Sequence, residues 1–129
     1  MGRGTGIGRV RGLGSAKSGA HHWWQQRLTA VGNLLLMGWL IVSLLRLPSF
    51  EYRLVVEWLA SPVAAVPMAL LVLSVFHHLR LGLQVLIEDY VHDEAHKFGA
   101  IVLLNFYVIA TATIALFSIL KIALGGAAA

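Results

Sequence analysis

The stretch VAAVPMALLVLSVFHHLRLGLQVLI, Val63 to Ile87, runs 25 residues with Arg80 as its only formal charge. A helix rises about 1.5 Å per residue, so this run is long enough to cross a hydrocarbon core about 30 Å thick. Leu28 to Leu45 adds 18 residues without a formal charge, and Phe98 to Leu120 adds 23 more. The segments between them are short. The expected fold is an all-α integral membrane protein with three transmembrane helices, over about 28–47, 63–90 and 98–122. Together they form one transmembrane domain, 28–124, between a basic Gly-rich N-terminal tail (1–27) and a C-terminal tail (125–129).

Composition points the same way. Of 129 residues, 58% are hydrophobic and 12% charged, whereas soluble domains carry about a quarter charged residues. A domain this small has too little interior to hide such an excess, which argues against an ordinary soluble fold and equally against disorder. The absence of cysteine removes disulfides, thiolate nucleophiles, cysteine zinc sites and iron–sulfur ligation by this chain. Six histidines remain as the good nitrogen ligands.

The charges give a topology. The tail holds Arg3, Arg9, Arg11, Lys17 and Arg27, while the loop after the first span holds Arg46 and Arg53. The positive-inside rule then puts the N-terminus and the loop Glu88 to Lys97 in the cytoplasm, and the C-terminus on the opposite side. The net charge of +4 reads as membrane topology, not as a nucleic-acid surface. Phe50 to Leu59, in the outer loop, fits a short interfacial helix, and Trp23 and Trp24 fit an interfacial anchor. Gly4, Gly6 and Gly8 are not a phosphate loop, because no strand precedes them. The first 27 residues also lack the apolar stretch of a secretory signal.

Ionisable groups within a membrane are costly and mark functional sites. They concentrate in FHHLRLGLQVLIEDYVHDEAH, Phe76 to His96. At about 100° per residue, His78, Gly82, Val85 and Asp89 fall within about 40° of one another. His77, Arg80, Gln84 and Glu88 form a second polar stripe about 100° away, and Leu79, Leu83 and Leu86 fill a third side suited to lipid. A helix polar on two sides is expected to pack against partners on both. A histidine with glycine one turn later offers a nitrogen ligand beside a gap where a flat macrocycle fits. A membrane histidine also serves simply as a hydrogen-bonding partner for a neighbouring helix, and the spacing leaves both readings open. In the third span Asn105, Tyr107, Thr111, Thr113 and Ser118 are mild polar groups suited to helix packing. His92 and His96, beside Asp93 and Glu94, sit in a short turn where solvation or contact with a partner subunit is expected.

The series His78, Gly82, Asp89, Tyr90 resembles the signature of the small hydrophobic anchor subunits of succinate dehydrogenase (respiratory complex II): a His, a Gly four later, and Asp-Tyr eleven and twelve later. HHLRLGLQVLIEDYVH is especially similar to the alphaproteobacterial and mitochondrial branch. HHWWQQRLTA, His21 to Ala30, resembles that branch's motif entering the first helix. The resemblance covers nearly all of the chain after the tail. It implies that His78 is one axial ligand of a haem b whose iron takes its other ligand from a partner cytochrome b556-type anchor subunit, itself with three helices. It implies that Tyr90 donates a hydrogen bond to a ubiquinone carbonyl and that Asp89 supports it. His21 and Arg27 would lie near the haem propionates. The family spacing selects His78 over His77. An iron–sulfur subunit and a flavoprotein subunit are the further partners implied, in a bacterial inner membrane or, as the alternative, a mitochondrial one.

The function expected is that of a membrane anchor of succinate:ubiquinone oxidoreductase, a quinone-site subunit and not an enzyme alone. A fumarate reductase anchor is the nearest alternative. A small proton-coupled transporter built on Asp89, Glu88 and Arg80, or a structural membrane protein, would belong to a different class. From His78 to Tyr90 is about 18 Å along a helix, enough to separate a mid-membrane haem from a quinone near the surface.

Overall fold

The computed structural model describes residues 18–125. Within them the chain is all-helical: α1 (Gly19–Leu45), α2 (Tyr52–Ala60), α3 (Pro62–Tyr90) and α4 (Glu94–Gly125). Three of these, α1, α3 and α4, are long and apolar enough to cross a membrane. At about 1.5 Å per residue they reach about 40 to 48 Å, so their ends extend beyond a hydrocarbon layer of about 30 Å.

Each apolar run became a helix, but the helices begin earlier than the runs. α1 starts at Gly19 instead of near 28, taking in the His-His-Trp-Trp-Gln-Gln-Arg segment, and α4 starts at Glu94 instead of near 98. Apolarity marks where a span enters lipid, whereas helix formation needs only that the backbone hydrogen bonds continue. Residues 19–27 are thus part of the first helix rather than of a tail; 1–17 and 126–129 lie outside the described residues.

The stops are local. α1 ends as Pro48 approaches two residues past its cap, Arg46. Glu51 is extended and opens α2, whose Arg53 and Glu57 pair at 2.9 Å on the exposed side. A single extended residue, Ser61, separates α2 from α3, and Pro62 occupies the first turn of α3, where its missing N–H costs nothing. Pro67 lies within α3 and frees one carbonyl a turn earlier. Asp93 opens α4 by accepting the His96 N–H at 2.9 Å.

The topology is a row. α3 packs against α1 on one side and α4 on the other, while α1 and α4 make no close backbone contact; α2 leans on α3 and α4. The buried side chains lie on the middle and last helices: Ala64, Ala65, Leu71 and Leu81 of α3, and Leu104, Val108 and Ile119 of α4. Ala64 and Ala65 are small enough to let backbones approach, as membrane helix contacts require. Trp39 of α1 stacks on Trp58 of α2, with centroids 5.9 Å apart and planes 25° from parallel.

Candidate functional site

α1 runs away from one end of the row, and α3 returns to it before α4 departs. His21, His22, Trp23, Trp24 and Arg27 therefore share an end with Glu88, Asp89, Tyr90 and His92.

His78 sits on the α1-facing side of α3, half-buried. Its Nδ1 lies 3.0 Å from Thr29 Oγ1. Thr29 Oγ1 is also 2.8 Å from the Gln25 carbonyl and 3.1 Å from that of Gln26. A threonine hydroxyl has one proton, and in a helix it goes to the carbonyl a turn earlier. With that proton so placed, the hydroxyl oxygen is free to accept from Nδ1–H of His78, the tautomer whose lone pair is on Nε2. One turn along α3, Ser74 Oγ donates to the Thr29 carbonyl at 3.3 Å. Gly32 leaves the room: a Cβ there would stand 3.1 Å from Ser74 Oγ. Gly82, one turn beyond His78, faces the Gln26 amide, whose Nε2 is 3.8 Å from where a Cβ would be.

This donor set fits a haem iron. It offers one imidazole whose Nδ1 is engaged by Thr29, on a half-buried helix face with no acidic side chain bonded to it. Among the described residues no three His, Cys, Asp or Glu side chains converge on one point. The gap at Gly82 is narrower than an open cradle, because Gln26 stands over it.

The second polar stripe divides. Arg80 donates from Nε to Asn105 Oδ1 on α4, while Asn105 Nδ2 donates to its own Ile101 carbonyl at 2.9 Å. Gln84 donates to Glu88 at 2.8 Å. His77 joins neither; it lines a groove of about 660 Å³ between α1 and α3 with Thr29, Leu35, Leu36, Leu70 and Leu73. The expectation that α3 is polar on two sides because it has neighbours on both is met, by Thr29 on one flank and Asn105 on the other. Leu79 and Leu86 are 39% and 50% exposed, on the side no helix of this chain covers.

Tyr90 is the last residue of α3 and 75% exposed, and Asp89 beside it is exposed as well. Among the described residues neither has a side-chain hydrogen bond to the rest of the chain. They are not drawn toward His78. Arg27 caps the ring of Trp23 at 5.2 Å, and Trp23 meets Trp24 edge-on at 5.7 Å. At about 100° per residue Arg27 projects about 160° from Thr29, away from the α3 interface. His21 is exposed, and its neighbour His22 is the half-buried one.

In the turn, His96 Nδ1 lies 2.6 Å from Asp93 Oδ2, and Lys97 pairs with Glu94 at 3.2 Å. The His96 backbone N–H and then its ring hold the Asp93 carboxyl below its usual range. Within the spans, the amide oxygen of Asn33 is buried without a partner. The residues missed by sequence reading are Thr29, Gln26 and Ser74; they carry no local signal, since only the α1–α3 register brings them to His78.

The profile of the family described as succinate dehydrogenase/fumarate reductase transmembrane subunit matches residues 1–116. Among curated proteins, the succinate dehydrogenase hydrophobic membrane anchor subunit of Rickettsia bellii is 36% identical over 85 residues, 66% of this chain and 68% of that protein. That of Rickettsia conorii is 32% identical over 106 residues, 81% of this chain and 84% of its own. No solved structure matches. Three membrane-length helices, the His78-to-Tyr90 series on the middle one and these two lines of similarity converge: the chain belongs to the succinate dehydrogenase/fumarate reductase transmembrane subunit family, as a hydrophobic membrane anchor of that enzyme complex.

Proposed function

We propose that this anchor supplies, through His78 Nε2, one axial ligand to a haem b shared with a cytochrome b556-type partner, and that Tyr90 and Asp89 form part of a ubiquinone site. The observation that carries the reading is the Thr29–His78 contact, 3.0 Å, which commits Nδ1 and leaves Nε2 for a metal. When bound, the haem supplies a one-electron redox centre inside the membrane.

The chain's own contribution is placement. His78 holds its ligand about 18 Å along α3 from Tyr90, which separates a mid-membrane site from one at the surface. Tyr90 O–H donates a hydrogen bond to a quinone carbonyl, and the Asp89 carboxylate accepts and relays protons at that end. Their exposure supports a site completed by other subunits. His21 and Arg27 lie at the same end; Arg27 is about 3 Å along the axis from Thr29, on the open flank of α1, where a partner-held propionate is within reach of a cation. Electrons arrive from a flavoprotein through an iron–sulfur subunit docked at the Tyr90 end. That end faces the cytoplasm of a bacterium, with the N-terminus on the same side by the positive-inside rule. The printed names of the relatives favour the succinate direction over fumarate reduction.

The test is purification of the tagged complex from its native membrane in mild detergent, followed by a reduced-minus-oxidised spectrum. Wild type shows a b-type band with three co-purifying subunits. His78→Leu loses the band and His77→Leu keeps it. A colourless wild-type chain purifying alone defeats the reading; a band lost only in His77→Leu transfers the ligand role to His77.

A further inference from the structure

We infer that Thr29 is a positioning residue for the metal-binding imidazole, fixing both the tautomer and the ring orientation of His78 by accepting its Nδ1–H. This inference rests on the assignment of His78 as haem ligand. The contact belongs to a small closed network. The Thr29 hydroxyl proton is directed to the Gln25 and Gln26 carbonyls of its own helix, at 2.8 and 3.1 Å. The oxygen's lone pair is thereby turned toward His78 Nδ1 at 3.0 Å. Thr29 cannot slide along α3, because its carbonyl is held from below by Ser74 at 3.3 Å. Ser74 in turn has its room from Gly32, where a Cβ would stand 3.1 Å from its oxygen.

Three consequences follow from chemistry. The neutral imidazole exists in the one tautomer that presents Nε2 as a lone pair. The ring loses rotation about its Cβ–Cγ bond, so the plane it presents to a metal is set. A hydrogen bond donated from Nδ1 also raises the basicity of Nε2, which favours the oxidised metal and lowers its reduction potential. The same contact distinguishes His78 from His77, whose ring lines the neighbouring groove and has no hydrogen-bonding partner among the described residues. Tautomer control, more than position on the helix, separates the two adjacent histidines.

The experiment compares wild type, Thr29→Val and Thr29→Ser as purified complexes, reading haem-to-protein ratio and haem midpoint potential by equilibrium redox titration. Valine keeps the branched shape and removes the oxygen; serine keeps the oxygen. The expected result is a higher potential in Thr29→Val, with haem retained or partly lost, and recovery of the wild-type potential in Thr29→Ser. An unchanged potential and haem content in Thr29→Val overturns the inference. Equal change in both variants overturns it too, since packing and not the hydroxyl is then responsible. His78→Leu serves as the separate control: if it retains full haem, the ligand assignment fails irrespective of what Thr29 variants show.

Discussion

Arg80 on α3 donates its Nε–H to the side-chain oxygen of Asn105 on α4, joining two helices within the membrane through a cation that has no ion-pair partner among the described residues. Asn105 is prepared for this by its own bond to the Ile101 carbonyl, which fixes the amide so that its oxygen faces α3. The pair closes the flank of α3 opposite His78.

Asn105→Leu is expected to destabilise the complex more than Arg80→Leu, because the first strands a cation and the second removes it. Interhelical hydrogen bonds in membranes contribute about 0.6 to 1.7 kcal/mol, so a double-mutant cycle in thermal inactivation should show a coupling of that size. Strictly additive single and double variants would refute the direct pair.

The two glycines facing neighbouring helices are expected to respond differently to alanine. At Gly82 the new methyl meets Gln26 at an ordinary 3.8 Å, so subunit assembly should be retained. At Gly32 it meets Ser74 Oγ at 3.1 Å, so the hydroxyl must shift by a few tenths of an ångström, and losing its bond to the Thr29 carbonyl would cost about 1 kcal/mol. Comparing the yield of intact complex and its melting temperature checks this. If a haem edge lies against Gly82, haem content will fall in Gly82→Ala while assembly stays intact.

Tyr90→Phe removes one exposed hydroxyl and no packing. Ubiquinone reduction should fall by about a hundredfold, the lower end of the range for losing a positioned proton donor, while succinate oxidation with an artificial acceptor is unchanged. Parallel loss of both activities would show instead that Tyr90 holds the subunits together.

Asp93 caps α4, and its carboxyl is held low by the His96 N–H and ring. A carboxyl whose folded pKa is depressed contributes stability above its unfolded value of 3.8 and loses it as pH falls through the lower folded value. The first turn of α4 should therefore open in strong acid only, and Asp93→Ala should open it at neutral pH. Hydrogen exchange at the His96 and Lys97 amides reports this; equal protection in wild type and variant would remove Asp93 as the cap.

The spans were legible because membrane solubility needs long uninterrupted apolar runs, and α2 because Leu54, Val55, Trp58 and Leu59 alternate with charges at helical spacing. The start of α1 was not, since His21 to Arg27 is too polar to count toward a span yet fully able to continue a helix. Angular position sorted α3 correctly into a His78 side and an Arg80 side. It misgrouped His77 with Arg80, because a long arginine reaches α4 while the shorter imidazole of His77, about 60° around the helix, stays beside α1. Thr29, Gln26 and Ser74 escaped notice as partners for one reason: the register between two helices is written in neither of them alone.

A row of three helices whose outer two make no close backbone contact has little interior beyond the seams of its middle member. Most of its large apolar side chains therefore face outward, and the buried ones are confined to α3 and α4. The surface its spans turn outward is apolar almost throughout, so any companion meets it inside the bilayer, where close packing and interhelical hydrogen bonds hold helices together.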